Sequence, residues 1–177
     1  GRALAADKQY QSAVAAYDLA IELRPDNPDS HFQRGWSLVS DRKFPEAIAA
    51  FSRAIYLKPG EPDFHYQLGR ALAAIWQHSG AILAYDRVIG LEPEHARALF
   101  GKAYSLCRLA IYESKSHQPI NCFREAMAIL EMSCEIDSGT VGFISRNHQT
   151  FFELKNHSKF RDRFRALIWG NGSAQNT

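Results

Sequence analysis

The sequence predicts an all-α protein built as a solenoid, and three observations carry that reading. Pro25, Pro59 and Pro93 stand 34 residues apart. The residues ahead of each recur in the same order: Ala13, Ala47 and Ala81, then Tyr17, Phe51 and Tyr85, then Ala20, Ala54 and Val88. Gly1, Gly35, Gly69 and Ala103 form a further column at the same spacing. A supersecondary unit copied at a fixed period buries its apolar face on the next copy, so it specifies stacked layers rather than a globule with one closed core.

Bulk properties agree with a folded body and remove several classes. A hydrophobic content of 46% and an aromatic content of 12% belong to a chain that can bury a core. No run approaches the roughly 18 apolar residues that a membrane helix requires. The longest weakly polar stretch, Leu68 to Trp76, is broken by Gly69 and Arg70. Cys107, Cys122 and Cys134 are odd in number and lack the paired spacing of zinc sites, which reads as reduced thiols in a cytoplasmic protein. Gly1 stands in the middle of a repeat and is not a Met, so a preceding segment is expected.

The columns together resemble the tetratricopeptide repeat family, whose pattern is a large residue, two spacers, Leu-Gly, two spacers, an aromatic, and later alanine, aromatic, alanine and proline. The resemblance covers Gly1 to Pro93 in register and, with drift, nearly everything to Trp169. It implies a right-handed superhelix in which each repeat is an antiparallel pair of helices, A and B. The expected boundaries are a partial repeat over 1–27, repeats over 28–61 and 62–95, a fourth over 96–140 with a long hairpin, and a degenerate cap over 141–169. A polar tail, 170–177, is expected to be disordered.

Each element follows from its residues. In the second and third repeats Gly35 and Gly69 let helix B approach helix A, and Ala47 and Ala81 do the same from the other side. Phe51 and Tyr85 fill the volume between repeats. Pro45 opens helix B, where its missing N–H costs nothing, and Pro59 and Pro93 stop it. The large residue that opens helix A is His31 or His65, read as a partly buried structural histidine; no third ligand in phase accompanies the two, which argues against a metal pair. Arg34 replaces the family's leucine.

In the fourth repeat the match to Glu125-Ala126, Leu130 and Ser133 arrives 11 residues late, about three helical turns, so both helices lengthen without losing phase. Helix A is expected over Glu94 to Glu113, a loop over Ser114 to Gln118, and helix B over Pro119 to Ile136, with Ile120, Phe123, Met127, Leu130 and Cys134 in one apolar stripe. The long hairpin is expected to project from the solenoid edge, as a partner contact or as a plain elaboration. The cap comprises Val141 to Lys155 and Ser158 to Ile168.

In the implied superhelix the A helices line a concave groove. The expected lining is Asp29, Phe32, Gln33, Trp36, Val39 and Ser40 in the second repeat, Asp63, Tyr66, Gln67, Arg70, Ala73 and Ala74 in the third, and Arg97, Phe100, Gly101, Tyr104, Cys107 and Arg108 in the fourth. The sharpest candidates for a partner site are Phe32, Gln33, Trp36, Tyr66, Gln67, Arg70, Arg97, Phe100, Tyr104 and Arg108. An apolar patch with polar groups around it marks a contact surface, glutamines at repeat spacing can follow the amides of an extended peptide, and the arginines suit a carboxylate. Filling of the same face by the rings themselves or by a preceding segment, and self-association, stay open. Chaperone adaptors of the family clamp a C-terminal carboxylate with lysines, asparagines and arginine; glutamines and aromatics here argue against that ligand.

From Val141 onward there are six Lys or Arg and two acidic residues, against 15 and 17 before it. Lys155, Lys159, Arg161, Arg163 and Arg165 could meet nucleic acid, but their interleaving with Phe160 and Phe164 reads first as the solvated face of a capping helix. No phosphate-cradling glycine loop, nucleophile elbow or His-Glu-x-x-His occurs. The expected function is thus a non-catalytic protein-binding scaffold that needs no cofactor, takes a protein or extended peptide as partner, and lies in the cytoplasm. The alternative is a regulatory or substrate-recruiting arm of a larger enzyme whose catalytic domain lies outside the chain.

Overall fold

The computed structural model describes residues 2–112, 119–136, 162–163 and 165–166. Among them stand seven helices and no strand: α1 (Arg2–Leu23), α2 (Pro28–Ser40), α3 (Phe44–Leu57), α4 (Pro62–Ala74), α5 (His78–Leu91), α6 (Ala96–Tyr112) and α7 (Pro119–Ile136). They group into two compact units, Gly1–Leu91 and Glu92–Thr177. The bounds of α7 coincide with the expected ones. The loop expected over 114–118, nearly all of the cap and the tail fall outside the described residues.

One difference lies at the start. The repeat frame would place a turn at Asp7 and Lys8, yet α1 continues through them as helix. Ala3 to Ala6 are strong helix formers, and no glycine or proline interrupts the run.

The later helices begin and end by devices that recur with the period. Asn27, Glu61 and His95 share one column, each immediately before a helix. Asn27 Oδ1 accepts hydrogen bonds from the backbone N–H of Asp29 at 3.0 Å and of Ser30 at 3.3 Å, and Pro28 supplies the pre-set first helical residue. His95 Nδ1 accepts from the N–H of Ala98 at 3.1 Å, which is why α6 starts at Ala96 and not at Glu94 as expected. Glu61 makes no such side-chain bond, and Pro62 alone marks the start of α4.

At the other end, α2 and α4 close in the same way. The N–H of Lys43 donates to Leu38 O at 2.8 Å and that of Arg42 to Val39 O at 3.0 Å; one repeat later Gln77 donates to Leu72 O at 3.0 Å and Trp76 to Ala73 O at 3.1 Å. This double bond pattern requires a left-handed residue just past the helix. Arg42 and Trp76 occupy it, with φ of 58° and 65°.

Packing in the first unit turns on the glycines. A Cβ built on Gly35 would lie 2.6 Å from Phe51 Cε1, and one on Gly69 would lie 2.7 Å from Tyr85 Cε1. Each ring therefore rests directly on the backbone of helix A. Phe51, Ala47, Ala54, Ala81 and Val88 are fully buried, and Tyr85 nearly so. Phe32 then stacks on Phe64 with centroids 4.7 Å apart and tilts against Phe51 at 5.7 Å, joining α2 to α4 and α3.

The histidines of the repeat frame complete the joints. His31 Nε2–H donates to Pro25 O at 2.9 Å, and His65 Nε2–H to Pro59 O at 2.8 Å. Each imidazole thus ties the opening turn of helix A to the carbonyl of the proline that ended the preceding helix. Arg34 also has a reason to depart from the family's leucine: its Nε donates to Asp18 Oδ1 on α1 at 2.6 Å. Both partners are partly exposed, so the pair is worth up to about 1 kcal/mol.

In the second unit α6 packs on α7. Ala98, Leu99, Ala103, Leu106, Cys107 and Ala110 face inward on α6, and Phe123, Ala126, Met127 and Leu130 on α7, all buried. Leu130 holds the column of Phe51 and Tyr85, and with no ring there the methyl of Ala103 is tolerated where Gly35 and Gly69 were required. Ser133 Oγ donates to Ala96 O at 3.2 Å, and Lys102 Nζ pairs with Glu125 Oε1 at 2.9 Å, fixing the register of the hairpin. Arg163 holds Glu131 of α7 through both its Nε and Nη2.

The geometry sets the sign of three substitutions. Gly35→Ala lowers the unfolding free energy by up to about 2 kcal/mol, because the cost of overpacking a rigid buried ring exceeds the gain in helix propensity. Gly90→Ala, at a helical position with nothing within 4 Å of the added Cβ, instead raises it by up to about 1 kcal/mol. Arg42→Gly stabilises the chain by up to about 1 kcal/mol through relief of the left-handed backbone. Urea unfolding of the three variants, followed by circular dichroism, measures each sign.

Candidate functional site

The repeat frame puts one helical stripe of α2 one period before a matching stripe of α4: Phe32 with Tyr66, Gln33 with Gln67, Trp36 with Arg70. The stacking of Phe32 on Phe64 shows that α2 and α4 are neighbours in the first unit. These side chains have unequal freedom. Trp36 is 49% exposed, and Gln33 and Arg70 are also exposed. Tyr66 and Gln67 are half-buried.

The rings other than Trp36 spend part of their surface on the core. Phe32 packs against the cluster of Leu38, Ala47, Ala50, Phe51 and Ala71, as does Val39. Tyr66 tilts against Tyr85 with centroids 6.1 Å apart. Arg70 links the polar members: its Nη1 donates to Gln67 Oε1 at 3.0 Å, and its guanidinium lies 5.9 Å from the centre of the Tyr66 ring. The cation over an aromatic face contributes about 0.5–1 kcal/mol at an exposed site. Gln67 is thereby turned so that its NH₂ group remains to donate elsewhere, while Arg70 keeps further N–H groups for a carboxylate or carbonyl oxygen.

Asp29 and Asp63 are exposed in the first turns of α2 and α4, where negative charge favours the positive helix end. Ser40 Oγ is committed to Trp36 O at 3.1 Å, and Ala73 and Ala74 keep the end of the α4 stripe low.

The second unit contains the remaining predicted residues. On α6, Arg97 is exposed and Phe100, Gly101, Tyr104 and Arg108 are half-buried. Phe100, Tyr104 and Arg108 are all engaged with neighbouring groups. Cys107, expected in the lining, is instead fully buried: at one turn from Ala103 it shares the face that meets α7, and burial pushes its thiol pKa up.

The turns and outer helix faces add residues that the repeat columns do not single out. Trp76 is 58% exposed at its left-handed position and meets buried His78 edge-on at 5.9 Å. On α3, exposed Tyr56 lies beneath the guanidinium of Arg53 at 5.0 Å. The only advance signal for Trp76 is its place in the turn column, 34 residues after Arg42.

Comparison with known proteins agrees with the repeat geometry. The family described as tetratricopeptide repeat matches residues 1–62, 32–88 and 66–113. The chain belongs to the tetratricopeptide repeat family. No curated protein matches it. Among solved structures, a crystal structure of MamA is similar at TM-score 0.74 and 20% identity, over 91% of this chain and 85% of that one. MamA 41-end from Desulfovibrio magneticus RS-1 is similar at TM-score 0.71 and 15% identity, over 94% and 88%. YrrB, a TPR protein with an unusual peptide-binding site, is similar at TM-score 0.70 and 21% identity, over 98% and 84%. At these identities the likeness establishes the fold, an α-solenoid of tetratricopeptide hairpins. No helix among the described residues is long and apolar enough to cross a membrane.

Proposed function

We propose that the chain is a non-catalytic interaction module that holds an extended peptide, or an extended segment of a partner protein, against the stripes of α2 and α4 that carry Trp36, Gln67 and Arg70, the lining of the expected groove. The observation that carries this reading is the exposed indole of Trp36, one repeat from a Gln67–Arg70 pair that is already oriented by its own hydrogen bond. An aromatic anchor supplies the apolar contact that dominates most interfaces. The amide and guanidinium supply donors for backbone carbonyls or a carboxylate, each hydrogen bond netting about 0.5–1.5 kcal/mol. Phe32 and Tyr66 lean on the core beside it, so the neighbouring rings of the stripe are held before a ligand arrives, which limits the entropy lost on binding. The peptide-binding site of YrrB supports the same use of the fold.

The basic stripe of the C-terminal region supports nucleic-acid binding less well, since Arg163 is already held by Glu131.

Selection of ligands from a displayed library of random peptides, followed by fluorescence anisotropy, tests the proposal. Trp36→Ala combined with Arg70→Gln is expected to weaken the selected peptides at least about tenfold, or about 1.4 kcal/mol, with helicity unchanged because both side chains are exposed. Equal affinity of the double variant would place binding elsewhere and reject this site.

A further inference from the structure

The register of the α6–α7 hairpin brings two cysteines to one level. Ser133 bonds to Ala96 and Lys102 to Glu125, so residues of these antiparallel helices stand opposite one another when their numbers add to about 227 to 229. Cys107 and Cys122 satisfy that sum. Cys107 lies one turn after Ala103 and Cys122 one turn before Ala126, and residues four apart share a helix face. Ala103, Ala110 and Ala126 are all buried and carry only methyl groups, which lets the two backbones approach. The thiols also feel one another electrostatically.

We propose that Cys107 and Cys122 are a redox-responsive pair that closes into a disulfide between α6 and α7, with hydrogen peroxide as the oxidant. Cys122 is half-buried and gives the oxidant its entry, whereas Cys107 is enclosed. The Cys122 thiolate attacks one peroxide oxygen; an S–O bond forms, the O–O bond breaks, and hydroxide leaves. The Cys107 sulfur then attacks the sulfenic sulfur, forming the S–S bond, and the departing hydroxide takes the Cys107 proton as water. Two thiols lose two electrons, and one peroxide is reduced to two waters. Burial disfavours the Cys107 thiolate, so Cys107 acts as the resolving partner and not as the first to react. Closure fixes α6, which carries Arg97, Phe100, Tyr104 and Arg108, against α7.

The test is peroxide titration of the full chain, with remaining thiols counted after unfolding and cross-linked peptides mapped by mass spectrometry. Of the three thiols, two should be lost together, in a linked pair of peptides containing Cys107 and Cys122, and Cys134→Ala should leave that loss intact. Cys107→Ala should stop the reaction at a Cys122 sulfenic acid that dimedone traps; Cys122→Ala should keep Cys107 reduced. If Cys107→Ala fails to fold, the peptide map of the natural chain decides alone. Cys107 still reduced where Cys122 is already sulfinic, or Cys122 linked to Cys134 or to a second chain, would overturn the pairing.

Discussion

An aromatic ring seated on a bare helix backbone is the constraint from which the first unit is built. Phe51 on Gly35 and Tyr85 on Gly69 occupy space that even a methyl group would invade. Because the ring touches the axis of helix A so closely, the two helices of a repeat approach at one level and in one phase. That phase decides which residues of α2 and α4 face outward. In the second unit Leu130 takes the place of the ring, and Ala103 takes the place of the glycine. Both are fully buried, and a smaller side chain in one column beside a larger one in the other is what close packing requires.

The joints between repeats use polar groups in a complementary way. His31 and His65 reach back to the carbonyls of Pro25 and Pro59, and Asn27 and His95 satisfy the first N–H groups of α2 and α6. The histidine tie is made in the second and third repeats, where helix A follows a proline, and the cap is made by a different residue in the second and fourth, while Glu61 makes none. Arg34 does not recur; it serves the single contact with Asp18.

Much of the architecture was legible because period and phase are properties of sequence alone. The columns ending at Pro25, Pro59 and Pro93 located the joints, and the shift of 11 residues located α7 correctly. Contacts chosen by side chains across helices were less legible. Phe32 and Tyr66 have the spacing of an exposed stripe, but long rings can lean back onto Phe64, Phe51 and Tyr85 from that position. Cys107 has the seven-residue spacing from Phe100 that suits the expected lining, yet it stands one turn from Ala103 and is buried with it. The left-handed turns at Arg42 and Trp76 carry no glycine, so the commonest sequence sign of such a turn is missing. Along the expected stripe the structure separates exposed Trp36 from Phe32 and Tyr66, which spend part of their surface on the core.

The central claim is that ring and glycine act as one packing unit, and a double-mutant cycle tests it most directly. Gly35→Ala, Phe51→Leu and the double variant would be compared by equilibrium urea unfolding. A smaller side chain at position 51 makes room for the added methyl, so the double variant should be more stable than the sum of the single losses implies, by at least about 1 kcal/mol. Strict additivity of the two losses would show that Phe51 does not rest on Gly35, and the phase assigned to the helices would fail with it.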